Sequence, residues 1–240
     1  MYTLVLVRHG ESEWNKKKLF TGWSDVNLTD NGIFDAKMIG RKLKSQDLCF
    51  DIAFTSVLKR AGMTLELILE ELNNDQTKII KSWKLNERNY GKLQGKSKVG
   101  ILEELDLKEI HAFRRGYYTR PPQLDDDDPR NPINDPKYSH ISKDLLTRGE
   151  SLEDTYNRVI PFLKEKIYEK LKTHKNAIIV SHGNTLRVIL KYLDNLSDTE
   201  IEGVEFPIGK IIIYKLDENF KVINREYSFY DDNLKYGEDL

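Results

Sequence analysis

Apolar and polar positions along the chain follow two periods. Thr3-Leu4-Val5-Leu6-Val7, Ile52 to Thr55 and Ala177-Ile178-Ile179-Val180 are short continuous runs of β-favouring residues, the pattern of strands buried on both faces of a sheet. Elsewhere apolar residues recur at steps of three and four. Ala36, Ile39 and Leu43 do so behind Thr29, a plausible N-cap, until Gln46, and Ala61, Leu65, Ile68 and Leu72 form a second stripe. Tyr156, Val159, Leu163 and Ile167 follow Ser151-Leu152-Glu153-Asp154, which has capping-box form; Leu186, Ile189, Leu190 and Leu193 make a fourth stripe. Four amphipathic helices are predicted, with Pro161 kinking the third. Lys78 to Lys84 alternates weakly and reads as another strand, and Ile211 to Leu216 reads as a strand paired with Val222 to Tyr227.

Strands alternating with helices predict an α/β fold: a three-layer α/β/α sandwich around a mostly parallel sheet. Such sheets bind ligands beyond the carboxyl ends of their strands. The pattern lapses over 96–150, where five of the seven prolines (121, 122, 129, 132 and 136) surround the acidic run Asp125 to Asp128. This stretch reads as an irregular insertion within one domain over 1–240. No internal repeat is visible.

Composition narrows the function. The chain has 240 residues, 38 Lys+Arg against 39 Asp+Glu and a formal net charge of -1, so it can bury a continuous core but lacks the general attraction to phosphate backbones typical of nucleic-acid binders. Any anion must be bound locally. Cys49 is the only cysteine, which excludes an intrachain disulfide and favours a reducing compartment. Leu4 to Val7 is too short for a signal sequence or a membrane span, and a cytoplasmic protein is expected.

Three strand ends carry the candidate chemistry. Arg8-His9, Arg60 and His182 lie far apart in sequence, yet each follows a predicted strand and should reach the same sheet edge. Two guanidinium forks and two imidazoles suit a phosphoryl group, because arginine binds its oxygens in pairs and a neutral imidazole nitrogen can attack phosphorus. Gly183-Asn184 opens a helix, whose free N–H groups and positive dipole end also suit phosphate. No His/Cys/Asp grouping has zinc-ligand spacing, and Asp125 to Asp128 lacks the alternation of a calcium loop, so no metal is expected. His111, His140 and His174 fit no motif and read as surface residues.

Arg8-His9-Gly10-Glu11-Ser12 resembles the signature of the histidine phosphatase (phosphoglycerate mutase-like) superfamily. Trp14-Asn15, Phe20-Thr21-Gly22-Trp23-Ser24-Asp25, Ser56-Val57-Leu58-Lys59-Arg60-Ala61, Leu85-Asn86-Glu87-Arg88-Asn89-Tyr90-Gly91, Arg114-Arg115 and Ser181-His182-Gly183-Asn184-Thr185-Leu186-Arg187 occur in the order of the cofactor-dependent phosphoglycerate mutases. The resemblance implies an isomerase of glycolysis and gluconeogenesis that interconverts 3- and 2-phosphoglycerate. Phosphorylated His9 and a bound 2,3-bisphosphoglycerate, which also primes the enzyme as cofactor, would be its intermediates. It further implies that Arg8, Arg60, Asn15 and His182 surround the transferring phosphoryl group and that Glu87 carries protons. Ser12, Thr21, Gly22, Tyr90, Lys98, Arg114, Arg115, Gly183 and Asn184 would hold the rest of the substrate. The expected partners are small phosphoglycerates and further copies of the chain, in a homodimer or homotetramer.

The chain departs from the pattern at Gly62-Met63, Asn89 and Pro121-Pro122-Gln123. Its tail, 233–240, matches nothing and is expected to be mobile. Two rivals share the phosphoryl site. A phosphatase would pass the phosphoryl group to water, and a non-catalytic phospho-ligand module would only bind it. Bisphosphoglycerate synthesis would be a specialisation on the same residues.

Overall fold

Six strands form one sheet in the order β3-β2-β4-β1-β5-β6. The strands are β1 (Tyr2–Arg8), β2 (Ile52–Thr55), β3 (Lys78–Lys81), β4 (Asn176–Ser181), β5 (Lys210–Leu216) and β6 (Val222–Phe229). The computed structural model describes residues 1–103 and 106–231. The pairs β1–β4, β4–β2 and β2–β3 are parallel, whereas β5 runs antiparallel to both β1 and β6. The expected mostly parallel α/β sheet is therefore present, with an antiparallel ribbon on one edge.

Side chains alternate across a strand, so each central strand feeds two cores. Leu4, Leu6, Ile52, Phe54, Ala177 and Ile179 face one side and pack with α5 (Leu152–Phe162), α6 (Tyr168–His174) and α7 (Gly183–Leu193). Val5, Val7, Ala53, Ile178 and Val180 face the other and meet Ile39 and Leu43 of α2 (Asp30–Ser45) and Leu65 and Ile68 of α3 (Lys59–Leu72). These apolar runs are continuous because both faces are covered, each buried large side chain contributing about 1.5–3 kcal/mol. Thr29 caps α2 by accepting from Gly32 N at 3.1 Å, and Ser151 and Asp154 form the capping box of α5.

Three local features differ from the sequence reading. The strand expected over Lys78 to Lys84 ends at Lys81, because Ser82 caps a single helical turn, Trp83–Leu85. The helix that holds Pro161 carries a wide turn, Leu163–Ile167, which joins α5 to α6 and was not foreseen in the sequence. Within the stretch expected to be irregular, Leu107–Arg115 forms a helix, α4, opened by a capping box between Asp106 and Glu109. The tail over 233–240 lies outside the described residues. Among the described residues no helix is long and apolar enough to cross a membrane.

Candidate active site

The carboxyl ends of β1 and β4 fix the centre of the site. His9 N donates to Ser181 O at 2.9 Å, which ties the residue after β1 to the end of β4. Gly10 follows with no room for a side chain: a Cβ there would lie 2.2 Å from Gly32 O, so the loop packs directly on the start of α2. Gly10 N donates to Thr64 Oγ1 on α3 at 3.1 Å. Arg60, in the first turn of α3, reaches back across this loop. Its Nη1 and Nη2 donate to Ser24 O and Gly22 O, both at 2.8 Å, and its Nε donates to His9 Nε2 at 3.3 Å. Gly22 can face Arg60 in this way because it adopts φ 54°, a left-handed conformation that glycine accepts without strain.

These contacts define the state of His9. A carbonyl oxygen can only accept, so the 2.7 Å contact between Nδ1 and Gly10 O places the proton on Nδ1. A guanidinium can only donate, so Nε2 carries the lone pair. Burial, then the charges of Arg60 and Arg8, hold the His9 imidazole well below its ordinary pKa of 6.5. The result is a neutral ring with a nucleophilic nitrogen facing cations that attract phosphate. His182 lies beside it, with ring centroids 5.0 Å apart, and its pKa is lowered by burial and by Arg60. Its Nε2 is 2.8 Å from Ser56 Oγ, and its buried Nδ1 has no hydrogen-bond partner. With Ser56 donating, Nδ1 is an orphaned N–H donor next to the nucleophile.

Glu87 enters from the irregular segment after the Trp83–Leu85 turn and is buried. Its Oε1 accepts from Arg88 N at 2.8 Å and from Asn184 N, at the start of α7, at 3.1 Å. Oε2 makes no hydrogen bond among the described residues, so only one carboxylate oxygen is anchored. Asn184 Nδ2 donates to Tyr90 OH at 3.1 Å, while its Oδ1 accepts from Arg187 Nη1 at 2.8 Å.

A cavity joins these groups to a second wall. Arg8, His9, Asn15, Thr21, Gly22, Arg60 and Glu87 line it together with Tyr90, Lys98, Arg114, Arg115, Gly183, Asn184 and Arg187, and with Glu205, Phe206 and Pro207. Among the described lining residues six cationic side chains stand with two carboxylates, a composition that suits an anion. Arg114 and Arg115 come from the last turn of α4, and Arg115 Nη2 pairs with Glu205 Oε1. Among the described residues no group of three or more His, Cys, Asp or Glu side chains forms a metal site.

Of the residues singled out in the sequence, Ser12 and His182 do not line the cavity. His182 lies beside His9, with no part in the lining. Ser12 is fully buried and works as a helix cap: its Oγ bonds Asn15 Oδ1 at 2.8 Å and accepts from Asn15 N at 3.2 Å, which presents Asn15 to the cavity instead. Sequence reasoning missed Arg187 and Glu205 to Pro207. Arg187 stands at the end of the Ser181-to-Arg187 motif, a signal that was available. Glu205 to Pro207 offered none, since only packing of the segment before β5 brings them in.

Comparison with known proteins gives a family and a fold. A family model for the histidine phosphatase superfamily (branch 1) matches residues 4–227. An alpha-ribazole phosphatase from Shigella flexneri is similar over 98% of this chain and 99% of its own, at 20% identity and a TM-score of 0.68. A mycobacterial glucosyl-3-phosphoglycerate phosphatase solved with VO3 is 18% identical over 95% of this chain and 97% of its own, with a TM-score of 0.71. A protein of Thermus thermophilus is 26% identical over 93% of this chain and 98% of its own, with a TM-score of 0.60. At such identities the first two likenesses concern the fold.

Proposed function

The chain belongs to the histidine phosphatase superfamily, branch 1, and from that premise we propose that it is a phosphoglycerate mutase, moving a phosphoryl group between the 3- and 2-hydroxyls of phosphoglycerate through phosphohistidine at His9. One observation carries this reading. Besides Arg8 and Arg60, the cavity lining carries a second group of cationic side chains, Lys98, Arg114, Arg115 and Arg187. A phosphatase needs only the first wall, whereas a mutase must keep a molecule with two phosphates and a carboxylate while it turns over.

In the proposed reaction, phosphorylated His9 yields its phosphoryl group to the free hydroxyl: the N–P bond breaks, an O–P bond forms, and the hydroxyl proton passes to Glu87. Neutral His9 Nε2 then attacks the other phosphorus, the second O–P bond breaks, and Glu87 returns the proton to the leaving oxygen. Arg8, Arg60 and Asn15, which line the cavity, would hold the phosphoryl oxygens, where charge spreads in the transition state. The cationic lining fits 2,3-bisphosphoglycerate, whose role as cofactor would be to supply the priming phosphoryl group. Arg114, Arg115, Tyr90 and Asn184 would hold its distal end.

A phosphatase is the second reading, favoured by the pairing of Arg115 with Glu205, which neutralises part of the distal wall. The two readings separate on product identity. With 3-phosphoglycerate and trace 2,3-bisphosphoglycerate, phosphorus NMR should show 2-phosphoglycerate accumulating to equilibrium. Free phosphate in its place would establish the phosphatase.

A further inference from the structure

The segment that carries Glu87 belongs to neither a strand nor a long helix, yet it must hold one carboxylate oxygen in place. Arg158, on α5, supplies a clasp. Its Nε and Nη2 each donate to a Glu150 carboxylate oxygen at 2.8 Å, and the two side chains are 6% and 2% exposed. The same guanidinium donates through Nη1 to Lys84 O at 2.8 Å and Asn86 O at 3.2 Å, and through Nη2 to Glu87 O at 3.3 Å. Glu150 closes the other side: its Oε2 accepts from Asn89 N and its own N donates to Asn89 O, both at 2.8 Å. Trp23, whose ring lies 5.6 Å from the guanidinium carbon, donates Nε1 to Glu87 O.

We infer that Arg158, locked by Glu150, is a positioning residue that sets the backbone of residues 84–89 and thereby the direction of the Glu87 carboxylate. The inference rests on the proposed role of Glu87 as proton carrier. A buried ion pair is weak evidence for stability, since apolar residues of similar volume often replace one without loss. What apolar residues cannot replace is a rigid fork that meets a carboxylate and the main-chain carbonyls of Trp83, Lys84, Asn86 and Glu87 at once. Lysine cannot either, because its ammonium is a single point with three donors. Neither Arg158 nor Glu150 lines the active-site cavity.

The test is Arg158→Lys assayed with two phosphoryl donors. Transfer to His9 from 2,3-bisphosphoglycerate expels an alkoxide and needs the Glu87 proton, whereas transfer from 2,4-dinitrophenyl phosphate expels a stable phenolate and does not. A misplacement of about 1 Å can cost about 10²-fold in rate. The variant should lose about that in kcat with the first donor, with KM nearly unchanged, and less than about threefold with the second. Introduced into Glu87→Gln, it should cause no further loss, as expected of two residues acting through one group. Glu150→Gln should show the same donor selectivity more weakly, and circular dichroism confirms that each variant is folded. Equal losses with both donors, an additive loss in the Glu87→Gln background, or near-wild-type turnover of folded Arg158→Lys would overturn the proposal. Glu87→Gln alone tests the underlying assignment: if it keeps full turnover, both fall, whereas a crippled Glu87→Gln with an unaffected Arg158→Lys sinks only the positioning role.

Discussion

The two walls of the cavity are built differently. The wall of His9, Arg60 and His182 sits at the ends of sheet strands and the start of a packed helix, with each of the three side chains at most 3% exposed. Its polar atoms are held by main chain: Gly10 O for His9, and Ser24 O and Gly22 O for Arg60. The wall of Lys98, Arg114, Arg115 and Glu205 comes from the stretch after Gly95, the end of a nine-residue helix and the approach to β5, and these residues are partly exposed. The buried wall fixes a charge state and a geometry, so it carries the chemistry. The open wall presents long, partly exposed side chains, and under the proposed function its task would be to retain the phosphate ester.

The sharpest break of this contrast is His9→Ala. Brief exposure of the wild type to 2,3-bisphosphoglycerate should add one acid-labile phosphoryl group to the intact mass, and the variant should take up none. Label that persists without His9 would move the nucleophile elsewhere.

On the open wall, replacing Arg114 and Arg115 together by alanine should lower kcat/KM for 3-phosphoglycerate by about two to four orders of magnitude, from charge-assisted bonds worth about 1.5–3 kcal/mol each. Phosphorylation of His9 at high donor concentration should survive, with water taking a larger share of the phosphoryl groups. An unchanged partition in steady-state assays would show that the second wall does not retain the substrate.

The buried wall should also mark the pH dependence of stability. The folded pKa of His182 is depressed, so below about pH 6.5 the unfolded chain binds a proton that the folded chain refuses. Stability should therefore be level above that pH with respect to this group and fall as pH drops toward the folded value, by up to about 1.4 kcal/mol per pH unit. Denaturant unfolding of His182→Gln between pH 7.5 and 5 should give a shallower slope than the wild type. Identical slopes would mean that this imidazole is charged in the folded protein.

The smallest effect concerns the support beneath the nucleophile loop. Thr29 caps α2 and donates to Glu11 Oε1 at 2.7 Å, so Thr29→Ala should cost about 1 kcal/mol of stability by thermal unfolding while leaving His9 phosphorylation rates within a few-fold. A large rate loss would mean that the helix start itself tunes the buried wall.

Sequence pattern revealed the buried wall more readily than the open one, for physical reasons. Strands covered on both faces must be apolar throughout, so Leu4 to Val7 and Ala177 to Val180 were plain, and the polar residues that end them stood out. Helix α4 was hidden because only Ile110 of its nine residues is buried, too little for a stripe. Ser12 matched a substrate-contact position, yet its hydroxyl caps a helix, a use that no linear motif distinguishes. Glu205 meets Arg115 from 90 residues away and the Glu150–Arg158 clasp grips main chain 61 to 75 residues earlier, which spacing cannot show. Glu87 stood out in the sequence only through its flanking motif.

The most direct measurement follows the fate of one phosphoryl group. The enzyme is phosphorylated on His9 with radiolabelled donor, freed of ligand, and mixed with 3-phosphoglycerate under single-turnover conditions. If the open wall retains the substrate as proposed, label should leave His9 faster than in buffer alone and appear in phosphoglycerates, with little in free phosphate. Loss of label to free phosphate at the same rate with and without 3-phosphoglycerate would contradict the mutase assignment.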